Sequence, residues 1–313
     1  MEDRFAGVRE FVAAVDGGSF TAAALSLGVT GSAVGKSISK LEKRLGVQLL
    51  HRTTRRIDLT NEGDAYLLSC RRILEELDQA EAYLSTGHQQ PIGRVRIDLP
   101  TTFGRRHILP SLLELGLRYP RLDLSVSLRD RPVDLVSEGI DLAVRIGVLP
   151  DSPDIIARRL GEQRLVICAA PGYLKLHGVP ASRADLSNHD CLTGWRHGHR
   201  PTWLLKNERG EIESQEIPSR HELTDGDALL DACLAGSGLA QLPTWLADDA
   251  LRTGDLTQVF PEISGGTMPI HVIWQKTWHL QPKVRVTVDE LVRLAAKDRS
   301  VFNPDKAGCT SAS

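Results

Sequence analysis

The sequence is short of several things, and each lack removes a class of protein. Its five cysteines, Cys70, Cys168, Cys191, Cys233 and Cys309, are odd in number and include no C-x-x-C pair. That pattern excludes a disulfide framework and a thiolate zinc site, and it points to a reducing compartment. Nowhere do the ~18 consecutive apolar residues of a membrane-spanning helix occur. The amino-terminal MEDRFAGVREFVAAV is charged and lacks the apolar core of a secretory signal. A cytoplasmic protein is expected. Enzyme signatures are missing too. Gly236-Ser237-Gly238 lacks the G-x-S-x-G spacing of a nucleophile elbow. Gln241 stands where a dinucleotide fingerprint would need its third glycine. Gly35-Lys36-Ser37 ends like a phosphate-binding loop, but Thr30 occupies the place of that motif's first glycine and no strand precedes it. The set His189, Cys191, His197 and His199 has only a faint metal-ligand composition. No catalysis, cofactor or metal is expected.

What is present divides the chain. At 313 residues it is long for one compact domain, so two or three are expected. With 41% hydrophobic and 25% charged residues it can build more than one core. A net charge of -2 conceals an uneven distribution. From Thr30 to Arg56, Lys36, Lys40, Lys43, Arg44, Arg52, Arg55 and Arg56 face one acid, Glu42. From Asn61 to Gln90, Glu62, Asp64, Glu75, Glu76, Asp78 and Glu81 outnumber Arg71 and Arg72. A basic block beside an acidic helix fits a small polyanion-binding module, although charge alone fits a solvated face equally well.

Spacing decides between them. Phe5, Val8, Phe11, Val12 and Val15 recur at helical intervals before the stop at Gly17-Gly18. Ser19 can cap a short helix from Phe20 to Leu27. After a turn at Gly28-Val29, Thr30 can cap a third helix running to about Leu45. Val34, Ile38, Leu41 and Leu45 share one stripe of that helix, with Ser32, Lys36, Ser39 and Lys43 opposite. Two helices joined by a glycine turn, the second basic outside, make a helix-turn-helix. In VQLLHRTTRRIDLT, apolar ends bracket His51 to Arg56, which reads as a two-stranded wing. Its Arg52, Arg55 and Arg56 can reach phosphates or the minor groove, with salt-dependent binding.

The run FVAAVDGGSFTAAALSLGVTGSAVGKSISKLEKRLGVQLLHRTTRRIDLTNEG resembles the amino-terminal signature of the LysR-type transcriptional regulators over nearly its whole length. The resemblance implies that Thr30, Gly31, Ser32, Gly35 and Lys36 face the major groove, with Ser39 and Lys40 on the same DNA-facing helix. Polar side chains are common in the family at the places of Gly31 and Gly35. Direct readout here therefore falls on Ser32 and Lys36, and groove shape carries more of the specificity. It also implies a dimer or tetramer bound to double-stranded DNA with two half-sites.

Thr60 caps a long helix on which Tyr66, Cys70, Ile73, Leu77, Ala80 and Leu84 follow a 4-3-4-3-4 spacing, the seam of a short coiled coil. Burial against the protein's own body is the alternative, and the resemblance favours dimerisation. Residues 61–91 are thus a linker helix and hinge after the winged helix-turn-helix at 1–60. From Arg94, strands and helices alternate: RVRIDLP, a helix from Thr101 to Tyr119, LDLSVSL, a short helix at VDLVSEG, IDLAVRIG, LVICAA, HELTDG, a helix from Asp227 to Ala235, GLAQLP, MPIHVIWQ and a closing helix from Lys283 to Lys297. This is an α/β pattern. The last residues, 300–313, are expected as a disordered tail.

The resemblance extends to this region, 92–299, as a two-lobed effector domain with the fold of periplasmic solute-binding proteins. Lobe I is 92–162 with 266–299, and lobe II is 163–265. A small organic effector, expected to be an anion because helix N-termini offer free N–H groups, would sit in the cleft between them. The candidate contacts are Pro100, Thr101, Thr102 and Phe103, then Arg145, Trp195, Asp225 and Pro243. Thr101, Thr102 and Asp225 could instead cap helices, Arg145 could be an ion-pair partner, and Trp195 could pack. The family also treats a histidine at position 189 as a packing residue. Two rivals stand beside this reading: a solute-binding or enzymatic domain carrying a DNA-binding head, and an architectural DNA binder without an effector.

Overall fold

A computed structural model describes residues 5–52, 57–85, 91–131, 133–194, 201–207, 209–263, 266–276 and 281–304. The chain divides into two compact units, residues 1–89 and 90–313. The first contains α1 (Val8–Asp16), α2 (Phe20–Leu27), α3 (Gly31–Leu45), β1 (Leu50–Arg52), β2 (Ile57–Leu59) and α4 (Asn61–Ser85). Caps set the boundaries. The Ser19 hydroxyl accepts the Ala22 N–H at 3.1 Å, and the Thr30 hydroxyl accepts that of Ala33 at 3.3 Å. Between these helices Gly28 takes φ 66°, a left-handed conformation that glycine adopts without a steric penalty. Phe11, Val34, Ile38, Leu41, Leu49 and Leu67 then close one apolar core.

The wing is tied to α3 by a buried acid. Glu42 Oε1 accepts the N–H groups of Leu49 and Leu50 at 2.9 and 3.2 Å, fixing the turn into β1. β1 pairs antiparallel with β2, Leu50 opposite Leu59 and Arg52 opposite Ile57. The Thr60 hydroxyl accepts the Gly63 N–H at 2.9 Å and starts α4.

The expected seam of α4 splits. Cys70 is buried in the core of its own unit, and the Tyr66 ring lies 6.0 Å from that of Phe11. Cys70 thus faces inward and Tyr66 is half-buried against the same core, because the first turns of α4 supply a wall of the winged helix. An apolar stripe does not state which body covers it. Beyond them Ile73 and Leu77 are 43% and 41% exposed, and Leu68 is 63% exposed. The side chains of Ala80 and Leu84 lie outside the described residues.

The second unit opens with β3 (Gly93–Leu99). It continues through α5 (Thr101–Phe103), a π-helical turn (Gly104–Ile108), α6 (Leu109–Arg118), β4 (Leu122–Leu128), β5 (Leu142–Ile146) and β6 (Ile155–Ala169). Next come α7 (Pro171–His177), a 3-10 turn (Arg183–Asn188), β7 (Cys191–Thr193), β8 (Thr202–Lys206), β9 (Ile212–Glu216) and β10 (Ser219–Glu222). The chain ends with α8 (Gly226–Leu234), β11 (Leu239–Pro243), α9 (Thr244–Thr253), β12 (Thr257–Val259), β13 (Thr267–Gln275), α10 (Pro282–Lys297) and α11 (Arg299–Phe302). Two lobes result, with strand orders β4-β3-β5-β13-β6 and β10-β7-β11-β6-β12. The strand β6 is shared: Ile155 to Arg164 pairs with β13, and Leu165 to Ala169 pairs with β11 and β12. Parallel pairs join β3, β4 and β5, and α6 and α10 pack on the face that carries Val95, Ile97, Leu99 and Leu122; on the opposite face Asp123 and Ser125 of β4 are exposed, which is the alternation of LDLSVSL.

Two expectations need correction here. VDLVSEG forms turns rather than a helix: Asp134 Oδ1 accepts the N–H groups of Val136 and Ser137 at 2.9 and 3.4 Å, a local arrangement that competes with a helix. The segment from Ser300 is not a loose tail at its start. Val301 and Phe302 are buried on α11, and a Cβ at Gly161 would meet the Phe302 carbonyl oxygen at 2.0 Å. That close approach requires glycine at 161. Residues 305–313 lie outside the described set. Among the described residues no helix is long and apolar enough to cross a membrane.

Candidate DNA interface and effector cleft

On α3 the buried stripe is Val34, Ile38 and Leu41; Ser32, Lys36, Lys40 and Lys43 are exposed, and Gly35 and Ser39 are half-buried. Thr30, the cap, sits 3.1 Å from the Ser32 hydroxyl, so both hydroxyls stand at the helix's amino end. A Cβ at Gly31 would meet nothing closer than 3.7 Å, and one at Gly35 nothing closer than 4.0 Å. Neither glycine is required by packing. The bare backbone is thus a property of the exposed face and not of the core. Arg52 belongs to β1, with its side chain outside the described residues, and Arg55 and Arg56 lie outside them altogether.

In the second unit a cavity of about 440 Å³ opens between the lobes. Pro100, Thr102, Phe103, Arg145 and Pro243 line it. Thr101 and Asp225 are not among its lining residues, and Trp195 lies outside the described residues. Asp225 caps α8, accepting the Ala228 N–H at 3.0 Å, and also accepts the Thr102 hydroxyl at 3.1 Å. Thr102 therefore bridges the lobes instead of capping its own helix. The Thr101 N–H donates to Asp130 at 3.0 Å. Arg145 is an ion-pair partner that also lines the cavity. Its guanidinium donates at 2.9 Å to Asp98, which is fully buried. Arg129 donates to the same carboxylate at 2.8 Å and also pairs with Glu138.

Sequence reading missed Asp98, Arg129, Gln163, Trp245 and Met268. One signal was available: Asp98 is the lone acid in RVRIDL, and an acid on a covered strand must find a cation. Gln163 gave none, because its importance comes from sitting where β6 crosses between lobes. There it is buried, and its Oε1 accepts the Trp245 indole N–H at 2.9 Å.

The π-helical turn adds contacts across the lobes. Arg105 and Arg106 both pair with Asp227 in the first turn of α8. The His107 ring lies 5.0 Å from that of Trp245, and its Nε2 is buried with no partner. Burial lowers the His107 pKa below the ordinary value, Asp298 opposes that, and Arg106 reinforces it. His189 and Cys191 occupy packing positions: His189 shares a hydrogen bond of 3.2 Å with the Tyr173 hydroxyl, and burial raises the Cys191 thiol to about 12. His197 and His199 lie outside the described residues.

Comparison with known proteins places both units. Residues 5–64 match the model of the bacterial regulatory helix-turn-helix proteins of the LysR family, and residues 88–296 match the LysR substrate binding domain. An HTH-type transcriptional repressor of Pseudomonas aeruginosa is 36% identical, with 96% of this chain and 94% of that protein covered. The HTH-type transcriptional regulator DmlR of Escherichia coli is 35% identical, with 96% and 97% covered. Among solved structures, CrgA, a LysR-type transcriptional regulator from Neisseria meningitidis, has a TM-score of 0.59 at 31% identity, covering 92% of this chain and 98% of that one. The Vibrio cholerae virulence activator AphB also gives 0.59, at 26% identity, with 92% and 98% covered.

Proposed function

Because this chain belongs to the LysR family of DNA-binding transcription regulators, we propose that it acts in the cytoplasm, reads a promoter with α3 and the wing, and is switched by a small organic anion in the cleft. The observation that carries this is the pairing of two structures in one chain. A capped helix presents Ser32, Lys36 and Lys40 outward, and a separate unit encloses a ligand-sized cavity. The relatives are named as regulators, and the chain is read as a regulator and not an enzyme.

Lys36 and Ser32 are the base readers in this reading. Thr30, Gly35, Ser39 and Lys40 set the helix against the groove, and Arg52, Arg55 and Arg56 hold phosphates. The protein works as a homodimer or homotetramer. The exposed Leu68, Ile73 and Leu77 of α4 supply the self-association face, so two heads meet two half-sites about 34–36 Å apart or a multiple of that. In the cleft, Thr102 and Asp225 lie where an effector can change how the lobes meet, and differential affinity for the two arrangements would shift DNA binding.

The test is an anisotropy titration on the DNA upstream of the protein's own gene, at two salt concentrations, for wild type, Lys36→Ala and Arg55→Ala. Expected are salt-sensitive binding and a protected site of two half-sites. Lys36→Ala should relax sequence preference at about 1–3 kcal/mol, while Arg55→Ala should lower the salt slope by about one. Binding to every duplex alike would refute sequence-specific regulation. Turnover of a metabolite by the full chain would favour the enzymatic rival.

A further inference from the structure

Phe20 opens α2 directly after its cap, and its side chain is 38% exposed. The core of this unit closes without it: Phe11 and Tyr66 are the aromatic rings that pack there. The Phe20 ring lies against α3 instead. A Cβ placed at Gly35 would have Phe20 Cε2 as its nearest neighbour, at 4.0 Å, and one at Gly31 would have the Phe20 carbonyl oxygen at 3.7 Å. Ser32 and Lys36, each one position further along α3, are exposed. The ring therefore borders the part of the recognition helix where two base readers stand.

A solitary exposed apolar side chain needs no explanation on an ordinary surface. This one sits on the face that meets DNA. Neither α2 nor α3 carries an acid in its first turn, and Lys36 and Lys40 stand outward, so nothing here repels a phosphate backbone. A phenyl ring cannot donate a hydrogen bond to a phosphate or to a base edge. What it can do in the major groove is meet an apolar group, and the one that base edges offer there is the C5 methyl of thymine.

We infer that Phe20 is a specificity-determining residue that reads a thymine methyl in each half-site, with the room beside Gly35 admitting that methyl against the ring. This rests on the reading of α3 as the recognition helix. One buried methyl corresponds to about three- to fourfold in affinity. The contact involves no charge, so the preference for thymine stays constant while overall binding falls with salt.

The test uses the full chain and the duplex protected in the titration above, with each thymine replaced in turn by deoxyuridine, which lacks only the methyl group. Wild type should bind about three- to fourfold more weakly when one particular thymine of a half-site is replaced, by the same factor at both salt concentrations. Phe20→Ala should bind the parent duplex more weakly and no longer distinguish uracil from thymine at that position. Phe20→Leu keeps an apolar side chain and should retain the distinction. If Phe20→Ala shows the wild-type uracil penalty at every position, or if wild type is indifferent to uracil throughout, the inference falls and sequence-specific regulation stands. Equal weakening of Phe20→Ala on the operator and on an unrelated duplex would assign the residue to the fold and overturn the inference as well. A wild type that protects no site would overturn both readings.

Discussion

Replacing Gly35 by alanine separates what the recognition helix needs for folding from what it needs for DNA. Gly35 is interior to α3 and an added Cβ would have its nearest neighbour, a ring carbon of Phe20, at 4.0 Å. The methyl group is therefore accommodated without strain, and helix propensity decides the outcome. Glycine is about 1 kcal/mol worse than alanine in a helix interior. With 1.4 kcal/mol equivalent to a tenfold change, the α3 amides should exchange about fivefold more slowly in Gly35→Ala. Hydrogen exchange suits this unit because all five tryptophans lie in the other one and report nothing on α3. Gly31→Ala is the control. Gly31 is the first residue of α3, where the N–H has no intrahelical partner, so its exchange should change far less. If the bare backbone serves close approach to the groove, Gly35→Ala binds its operator more weakly while being more stable. A variant that is less stable would refute the packing argument. One that gains in both stability and affinity would refute the link between this glycine and DNA.

Other perturbations test the second unit. Burial pushes the Glu290 carboxyl up, but hydrogen bonds from Arg293, Ser111 and Arg118 outweigh it and hold the group at about 2. A depressed carboxylate adds stability above its unfolded value of 4.5 that is lost as pH falls toward 2; discounted for the half-exposed arginines, this is about 2 kcal/mol. Urea midpoints for wild type and Glu290→Gln should converge as pH falls from 5 toward about 2.5, and parallel curves would count against the assignment. Phe302→Ala should lower stability by about 3–5 kcal/mol in urea titrations followed by tryptophan fluorescence, whereas a change within about 0.5 kcal/mol would mean that α11 is not docked. Asp227→Asn should lower stability by under about 1 kcal/mol, since Arg105 and Arg106 are largely solvated, yet speed amide exchange across 104–108. Unchanged exchange there would remove the inter-lobe role given to this cluster.

Local physics explains which parts could be read in advance. Ser19, Thr30 and Thr60 each act within three residues along the chain, so their caps were visible as residue types at fixed spacing. The wing was visible because its polar tip is bracketed by apolar ends. Failure came where the deciding partner is distant in sequence. Tyr66 and Cys70 fit a coiled-coil spacing as well as they fit a wall for Phe11, and only the packed core chooses. Phe302 was assigned to a tail because no periodic neighbour supports it; its support is Gly161, more than a hundred residues earlier. In VDLVSEG the apolar pattern suggested a helix, and the side chain of Asp134 captured the backbone instead.

The cleft makes the same point in its chemistry. Helix N-termini were the reason to expect an anion, yet the ends of α5 and α8 are already met by Asp130 and Asp225. An N-terminus attracts an anion only while no carboxylate of the protein occupies it, and occupancy is a tertiary fact. Arg145 shows the complement. As an isolated arginine near a cleft it reads as an anion receptor, but beside the fully buried Asp98 its first task is to neutralise that charge, which unpaired would destabilise the lobe by several kcal/mol. Charge in such a cleft has to be summed after the internal pairs are removed.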